Sequence, residues 1–505
     1  MLRIVRQVLA LLFFVGITLL FLDFSGTLPT YLGWMSKLQF LPALLALNVG
    51  IVFLWVLLTL LFGRMYCSVV CPLGVFQDVV SWFSGRRKKK RYRFTYSPSK
   101  KWLRYGVLVL FAVAMVAGLG AWASLLAPYS AYGRMVSHLL QPIYMYANNV
   151  LASWSESMGN YWFYEVDVWM KGVAALCVAL LTFGVLFVLA WRNGRTYCNT
   201  VCPVGTVLGL LSRYSLFRPV VDTSKCNGCN LCARRCKASC IDSGTHQVDY
   251  SRCVACLDCV EICKRGAMQY RLRTKGMQPV SGTQREVRYE GGKEPVDQSK
   301  RLFLSTAAFM TVATAVKSQE KKVDGGLAVI QDKQVPERGT KIVPPGALSI
   351  RNFENHCTAC LLCVSACPNQ VLRPSGSWGS LLQPEMSYER GYCRPECTKC
   401  SEVCPAGAIR PISREDKAST SIGHAVWIKK NCVPLTDGRE CGNCARHCPV
   451  SAITMVNSVQ GDDKSVKIPA IDVERCIGCG ACENLCPARP FSAIYVEGHR
   501  VHHLN

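Results

Sequence analysis

Eight cysteines between residues 226 and 263 have the spacing of iron–sulfur cluster ligands. They are Cys226, Cys229, Cys232, Cys236, Cys253, Cys256, Cys259 and Cys263. The pattern is Cys-x2-Cys-x2-Cys-x3-Cys written twice. At this spacing three thiolates of a run bind one [4Fe–4S] cubane, and the fourth binds the neighbouring cluster. The stretch therefore predicts a two-cluster domain for electron transfer.

The four-cysteine run appears four more times in the C-terminal part of the chain, each time ending in Cys-Pro. The sets are Cys357, Cys360, Cys363, Cys367; Cys393, Cys397, Cys400, Cys404; Cys432, Cys441, Cys444, Cys448; and Cys476, Cys479, Cys482, Cys486. Four sets predict four clusters in two ferredoxin-like units, and the sets pair either as neighbours or in nested order. We therefore expect six [4Fe–4S] clusters in the chain.

Other uses of the 30 cysteines fit the spacing less well. Disulfide frameworks are typical of small secreted domains, and structural zinc usually needs two Cys-x2-Cys pairs separated by a dozen residues or more. The formal charge of +25 would ordinarily favour nucleic acid. Six clusters would remove roughly 12 units of it, and ten Lys and Arg residues lie in the single segment 86–104. We expect no nucleic-acid partner.

A second cysteine motif occurs twice in the N-terminal half. Residues 63–74 read Gly-Arg-Met-Tyr-Cys-Ser-Val-Val-Cys-Pro-Leu-Gly, and residues 194–205 read Gly-Arg-Thr-Tyr-Cys-Asn-Thr-Val-Cys-Pro-Val-Gly. An axis along the membrane normal that relates two helical hairpins would bring four thiols together: Cys67, Cys71, Cys198 and Cys202. They could form a seventh cluster, a soft-metal site or a redox-active thiol group. Alternatively, the prolines and glycines only turn the chain at the membrane surface.

The elements that position these motifs are four apolar runs at 7–22, 41–62, 105–126 and 172–191. They predict a four-helix transmembrane bundle in a bacterial inner membrane, although the first run could also be a signal peptide. The loop Arg86–Arg104 is strongly basic and Pro128–Met170 is aromatic and weakly acidic. The positive-inside rule therefore predicts the first loop, the N-terminus and the first cluster pair in the cytoplasm.

The predicted organisation is a multi-domain membrane protein that carries ferredoxin-like α+β dicluster modules. It comprises a four-span membrane domain (1–222), a two-cluster ferredoxin domain (223–272), a linker (273–300), a Tat-like signal anchor (301–318), a second linker (319–350) and a four-cluster ferredoxin domain (351–505). The predicted spans contain no histidine, and no Cys-x-x-Cys-His or Gly-x-Gly-x-x-Gly signature is present. We therefore expect neither haem nor flavin.

These motifs resemble a known pair of families. The first part, with its spans and two Tyr-Cys-x3-Cys-Pro motifs, resembles NapH-type membrane ferredoxins, and the part from Lys300 onward resembles NapG and MauM polyferredoxins. The resemblance implies quinol oxidation at the membrane, with Cys67, Cys71, Cys198 and Cys202 taking part. It also implies electron delivery from the quinone pool to a periplasmic terminal reductase of anaerobic respiration, or to a cytochrome c subunit.

Two questions remain open at the level of the sequence. A different function, as a redox maturation or metal-handling factor for a respiratory enzyme, also fits the membrane cysteines. If the last four clusters are periplasmic, about 30 Å of hydrocarbon separates them from the first pair. Electrons would then need a diffusing quinone or a site at the spans. Alternatively, all six clusters lie on the cytoplasmic side. The sequence does not identify the quinone site.

Overall fold

The computed structural model describes residues 2–86, 94–273, 331–460, 462 and 465–504, and two short strand segments at 323–324 and 328–329. The predicted Tat-like anchor at 301–318 and nearly all of the predicted linker at 273–300 lie outside these residues. Each is therefore still a prediction.

The N-terminal part of the chain is helical. Its helices are α1 (Leu2–Leu22), α2 (Leu28–Lys37), α3 (Phe40–Leu45), α4 (Val49–Phe62), α5 (Tyr66–Val69), α6 (Pro72–Gly85), α7 (Lys101–Val116), α8 (Gly120–Ala123), α9 (Pro128–Met135), α10 (Gln141–Ser157), α11 (Val173–Asn193), α12 (Thr196–Thr200) and α13 (Pro203–Leu211). Short 3-10 turns follow α8 and α13, and a π-helical turn at Val136–Leu140 joins α9 to α10.

Among the described residues, α1 and α11 are long and apolar enough to cross a membrane, and α4 is a shorter apolar helix. The predicted span 41–62 is divided between α3 and α4, because the Asn48 side chain caps α4 by accepting a hydrogen bond from the Ile51 N–H (3.3 Å). The predicted span 105–126 is interrupted after Val116, where Gly118 has a φ of +76°. A bundle of four continuous spanning helices is therefore not confirmed.

The segment Pro128–Met170, which joins the last two predicted spans, contains α9, the π-helical turn and α10. Every residue of α9 is buried, and the helix packs against α6 and α11. Its sequence Pro-Tyr-Ser-Ala-Tyr-Gly-Arg-Met is too polar to be found by hydropathy. Pro128 nevertheless begins it well, since a first-turn proline has no N–H to satisfy. This helix is a core element of the fold.

Two-stranded antiparallel sheets and short helices form the first cysteine-rich domain, residues 217–272. Its strands are β1 (Phe217–Val221), β2 (Ile241–Asp242), β3 (Gln247–Val248) and β4 (Met268–Leu272), and its helices are α14 (Leu231–Arg235) and α15 (Asp258–Ile262). Strand β1 pairs with β4, and β2 pairs with β3. The outer sheet joins the two ends of the domain, so both cysteine runs lie between its strands.

The C-terminal cysteine-rich domain, residues 331–504, repeats this construction on a larger scale. Strands β5 (Val323–Asp324) and β6 (Ala328–Val329) precede it. Its helices are α16 (Ile350–His356), α17 (Leu362–Ser365), α18 (Lys399–Val403), α19 (Arg414–Ser419), α20 (Val433–Thr436), α21 (Asn443–Arg446) and α22 (Ala481–Leu485). Its strands are β7 (Leu372–Pro374), β8 (Pro384–Met386), β9 (Thr420–Trp427), β10 (Ile453–Asn457), β11 (Lys467–Ile471) and β12 (Ile494–Leu504). The pairs β5–β6, β7–β8, β9–β12 and β10–β11 are antiparallel.

Part of the predicted second linker belongs to this C-terminal domain. The Met386 N–H donates to the Ile342 carbonyl (2.9 Å), and the Gly498 N–H donates to the Thr340 carbonyl (3.2 Å). Ile342 and Val343 are buried in the core. The domain thus begins earlier than the cysteine spacing indicates.

The two cysteine-rich domains lie at opposite ends of α1. At its N-terminal end, Arg3 pairs with Asp258 (2.8 Å) and Glu261 of the first domain. Just past its C-terminal end, Lys399 Nζ of the C-terminal domain donates to the Ser25 carbonyl (2.8 Å). A 21-residue helix is about 31 Å long. The two domains are therefore separated by roughly the thickness of a hydrocarbon core, about 30 Å.

Candidate iron–sulfur sites and a buried thiol quartet

The structure gathers the 24 predicted cluster cysteines into six groups of four. Five groups line one cavity each, and the sixth is recognised by the mutual proximity of its thiols. They are group 1 (Cys226, Cys229, Cys232, Cys263), group 2 (Cys236, Cys253, Cys256, Cys259), group 3 (Cys357, Cys360, Cys363, Cys404), group 4 (Cys367, Cys393, Cys397, Cys400), group 5 (Cys448, Cys476, Cys479, Cys482) and group 6 (Cys432, Cys441, Cys444, Cys486).

Every group takes three thiols from one run and the fourth from its neighbour. Cys404 completes the group that begins at Cys357, and Cys367 completes the group that begins at Cys393. The last two sets exchange Cys448 and Cys486 in the same way. The runs therefore pair as neighbours, and the nested alternative is wrong. This exchange is the arrangement of two-cluster ferredoxins.

Four of the groups share an unusual backbone at the second cysteine of the loop. The residues immediately before and after that cysteine both have positive φ values of 47° to 80°. The pairs are Gly228 and Asn230, Ala255 and Leu257, Ala359 and Leu361, and Gly478 and Gly480. Alternating right- and left-handed residues turn successive N–H groups towards one point, which makes a concave site for an anion. Such loops fit an anionic cluster.

Backbone N–H groups also point at the exchanged cysteines. Ile409 N lies 3.5 Å from Cys404 Sγ, Ala452 N lies 3.2 Å from Cys448 Sγ, and Ala493 N lies 3.3 Å from Cys486 Sγ. Hydrogen bonds of this kind stabilise a thiolate and influence the reduction potential of a cluster bound to it. The donor sets and their surroundings therefore fit [4Fe–4S] clusters.

The N-terminal half contains a further thiol site, the quartet of Cys67, Cys71, Cys198 and Cys202. All four side chains are buried in one core, and each lies within electrostatic range of the other three. Burial raises the pKa of the Cys202 thiol, and the neighbouring thiols raise it further. The two repeated motifs thus form a single site.

Two fully buried arginines link the motifs, because each donates a hydrogen bond to a backbone carbonyl of the opposite motif. Arg195 Nη1 donates to the Cys67 carbonyl (2.6 Å), and Arg64 Nη2 donates to the Cys198 carbonyl (3.1 Å). Each guanidinium also lies against the glycine of the opposite motif. A Cβ at Gly74 would be 3.3 Å from Arg195 Nη1, and a Cβ at Gly205 would be 2.8 Å from Arg64 Nη2. The glycines are required for this close approach.

The symmetry breaks where the charge of each arginine is balanced. Arg195 binds both carboxylate oxygens of Asp78 at 2.7 Å. Among the described residues Arg64 has no carboxylate partner, and it donates to Asn199 Oδ1 (3.0 Å) and the Ser251 carbonyl (3.1 Å). The quartet is therefore surrounded by more positive than negative side-chain charge.

The sulfur atoms of the quartet accept hydrogen bonds from both motifs and from α6. Gln77 Nε2 lies 3.2 Å from Cys198 Sγ, and the Gly205 N–H lies 3.3 Å from Cys202 Sγ. In a cubane each thiolate binds a different iron, so four thiols gathered in this way are the ligand set of one [4Fe–4S] cluster.

Sequence reasoning found the quartet but missed the residues that organise it. Arg64 and Arg195 follow the first glycine of their motifs, so the repeated Gly-Arg pair was an available signal. Asp78 gave no such signal, because the second motif has Gly209 in its place. Cys240, which lies outside the four-cysteine runs, lines the group 2 cavity, with its sulfur 3.5 Å from that of Cys236.

Two family models match parts of the chain. A model described as a 4Fe-4S binding domain matches residues 44–91 and 176–221, the segments that contain the quartet. A model described as a 4Fe-4S dicluster domain matches residues 439–489, which contain most of groups 5 and 6. Both matches are to iron–sulfur proteins.

Characterised relatives are also ferredoxin-type proteins. The methylamine utilization ferredoxin-type protein MauM of Methylobacillus flagellatus is 30% identical over 168 residues, which are 32% of this chain and 70% of the relative. MauM of Methylophilus methylotrophus is 32% identical over 169 residues, with coverages of 32% and 72%. The ferredoxin-type protein NapG of Escherichia coli is 30% identical over 178 residues, with coverages of 32% and 75%. No solved structure matches this chain.

Proposed function

The chain belongs to the family of ferredoxin-type iron–sulfur proteins that includes MauM and NapG, and we propose that it oxidises quinol at a membrane and passes the electrons to a partner reductase. It is an iron–sulfur electron-transfer protein, and six [4Fe–4S] clusters in groups 1 to 6 would serve as its carriers. The NapH-like character of the first part and the use of quinol belong to this proposal.

The observation that carries the proposal is the position of the six groups relative to α1. Groups 1 and 2 lie in the domain that Arg3 contacts at one end of the helix. Groups 3 to 6 lie in the domain that contacts Ser25 at the other end. A carrier with cluster sites at both ends of a helix about 31 Å long is suited to moving electrons across a bilayer, about 30 Å thick in its hydrocarbon core.

Charge and hydropathy support a bacterial inner-membrane location. Helices α1 and α11 have the length and composition of membrane spans. The basic segment 86–104 favours the cytoplasm for the side of groups 1 and 2. The C-terminal domain then faces the periplasm, where a terminal reductase of anaerobic respiration or a cytochrome c subunit would receive electrons.

Quinol oxidation yields quinone, two protons and two electrons, and the bound clusters supply one-electron carriers for the latter. The chain's own residues would hold these clusters in buried sites that also contain charged side chains. In group 4, burial raises the pKa of Cys393 to about 11, and Lys417 opposes that shift. Lys417 Nζ is fixed there by the Arg394 carbonyl (2.6 Å). Cations placed in this way favour the thiolates that a cluster requires.

Anaerobic membranes containing the full-length protein would test the proposal. A reduced menaquinone analogue is added and cluster reduction is followed by EPR, with the variant Cys67→Ser/Cys198→Ser alongside. Cys177→Ser is the matched control, since Cys177 lies exposed on α11 outside every thiol group. We expect quinol to reduce the clusters in the normal and control proteins but not in the double variant. Clusters that dithionite reduces and quinol does not would refute quinol oxidation.

A further inference from the structure

We propose that Cys67, Cys71, Cys198 and Cys202 bind a seventh [4Fe–4S] cluster, and that this cluster transfers electrons directly between group 2 and group 3. The inference rests on the electron-transfer function proposed above. A seventh cluster would give the chain one continuous series of electron carriers. No diffusing carrier would then be needed between the two cysteine-rich domains.

On one side, residues of the two motifs that carry the quartet donate hydrogen bonds to the segments that carry group 2. The Arg195 N–H donates to the Lys237 carbonyl (2.9 Å), and Lys237 directly follows Cys236. Asn199 Nδ2 donates to the Ala238 carbonyl (3.2 Å). Arg64 Nη1 donates to the Ser251 carbonyl (3.1 Å), two residues before Cys253. Group 2, rather than group 1, is therefore the neighbour of the quartet.

On the other side a short chain of hydrogen bonds leads to group 3. The Tyr197 hydroxyl, on the residue before Cys198, donates to the Leu126 carbonyl (2.8 Å). Arg134 Nη2 donates to the adjacent Leu125 carbonyl (3.3 Å), and its Nη1 donates to the Ala359 carbonyl (3.3 Å). Ala359 precedes Cys360. A chain of hydrogen bonds thus runs from the quartet through Tyr197, the Leu125–Leu126 backbone and Arg134 to a ligand of group 3.

Helix α9 packs directly against the backbone of Cys360, a group 3 ligand. A Cβ added to Gly133 would lie 2.4 Å from the Cys360 carbonyl oxygen and 2.6 Å from the Phe21 ring. One helical turn later, Ser137 Oγ and Ser365 Oγ are 3.0 Å apart. Gly133, Ser137 and Ser365 are buried, whereas Leu125 and Leu126 are partly exposed, so the contact between α9 and group 3 is a packed part of the core.

The unpaired charges along this route indicate that an anion is bound on it. Arg64 and Arg134 are both fully buried, and in the described part of the chain neither has a carboxylate partner. A buried guanidinium without a counter-charge is strongly unfavourable. A cubane with four thiolates carries about −2 charges. A cluster on the quartet and another on group 3 would balance these arginines.

Backbone contacts and ligand exchange give an order for all the centres. The Cys393 N–H of group 4 donates to the Cys479 carbonyl of group 5 (2.9 Å), and ligand exchange joins groups 1 to 2, 3 to 4 and 5 to 6. The route is therefore groups 1 and 2, the quartet, groups 3 and 4, then groups 5 and 6. At each step one electron leaves a reduced cluster and enters the next oxidised one, with no bond made or broken.

Iron analysis tests the first half of the inference without using quinol. Anaerobically isolated protein should contain about 28 iron atoms per chain, four for each of seven clusters. Cys67→Ser/Cys198→Ser should lose about four of them, and Cys177→Ser should lose none. Full iron content in the double variant would overturn the seventh cluster, whatever the protein's activity towards quinol.

Vesicle experiments test the second half. A membrane-impermeant photoreductant is supplied on the side of group 1, and reduced clusters are counted by rapid-freeze EPR. The normal protein should become reduced throughout, whereas the double variant should stop at the two clusters of groups 1 and 2. Tyr197→Phe, which keeps the ring but removes the bond to Leu126, should slow reduction beyond the quartet by tenfold or more with all iron retained. Unchanged reduction of the C-terminal clusters in the double variant would refute a direct route.

Discussion

At the scale of single residues, the pair of Asp78 and Arg195 fixes the buried quartet. Arg195 is fully buried, and Lys237 (3.4 Å) and Arg6 (3.7 Å) also face the Asp78 carboxylate. Replacing Asp78 by Asn should leave these cations without a counter-charge. We expect a loss of about 3–5 kcal/mol in the free energy of unfolding, measured by thermal or denaturant unfolding. Asp332→Asn removes an exposed carboxylate and is the control; an equal effect in both variants would contradict this assignment.

The same pair predicts a pH dependence. Burial alone would raise the pKa of the Asp78 carboxyl, but Arg195 and Lys237 outweigh it and hold that pKa well below its usual range. An Asp in the unfolded chain titrates near pH 4, so the stabilisation is complete above about pH 4 and is lost as the pH falls through the folded-state pKa. The stability difference between the normal protein and Asp78→Asn should therefore shrink below about pH 4. A constant difference down to pH 2 would exclude this origin.

Cys240 gives a prediction about ligand exchange in group 2. Its sulfur lies 3.5 Å from that of Cys236 and interacts with Cys253. A small shift would let it replace a missing ligand. We expect Cys236→Ser to keep its full iron content with an altered EPR spectrum, and Cys236→Ser/Cys240→Ser to lose about four iron atoms. Cys240→Ala alone should be unchanged, and iron loss in Cys236→Ser alone would show that Cys240 is only structural.

At this scale, a contact was predictable from the sequence when its residues lie close together along the chain. Ligand spacing within a run is local, so the thiols of groups 1 to 6 were predictable. The contact of Arg64 with the Cys198 carbonyl joins residues 134 positions apart, and no local pattern encodes it. The choice between neighbour and nested pairing of the C-terminal runs was likewise a tertiary property.

At the scale of elements, helix α9 connects the N-terminal half of the chain to the C-terminal cysteine-rich domain by packing against group 3. Ala at Gly133 would bring a Cβ against the Cys360 carbonyl and the Phe21 ring. Overpacking of this kind should weaken the interface by about 1–3 kcal/mol. We expect faster limited proteolysis of the C-terminal domain and slower reduction of groups 3 to 6. Gly33→Ala in α2 is the matched control, because nothing lies within 4 Å of its added Cβ; equal proteolysis of both variants would contradict the prediction.

Hydropathy predicted the long apolar helices and missed this one for a physical reason. α1 and α11 are mostly apolar over 21 residues, so composition alone identifies them. α9 is buried by protein on all sides, and two of its polar side chains find partners there: the Thr18 hydroxyl lies 2.6 Å from that of Tyr132, and Arg134 Nη2 donates to the Leu125 carbonyl (3.3 Å). A buried helix of this polar composition cannot be recognised by its hydropathy.

At the scale of the whole molecule, the proposed route connects the seven thiol sites in one series rather than leaving two separate sets of centres. Cys229 at the group 1 end is exposed, and Cys441 at the group 6 end is partly exposed, while the quartet is buried between them. Protein partners can therefore exchange electrons at the ends of this series, whereas electrons from quinol would enter at the quartet, which is shielded from solvent. This arrangement suits a protein that connects two compartments.

Reporter fusions would test that arrangement directly. An exported phosphatase is active only outside the cytoplasm, and it can be inserted after Arg273 or fused after Leu504 in the full chain. Because the domains of groups 1–2 and 3–6 contact opposite ends of α1, about 31 Å apart, we expect activity for the fusion after Leu504 and none for the insertion after Arg273. A fluorescent protein that folds only in the cytoplasm should give the opposite result, and an insertion after Asn160 reports on the α10–α11 connection. Phosphatase inactivity after Leu504 would place all the clusters on one side, and would leave electron transfer along the membrane surface as the function of the series.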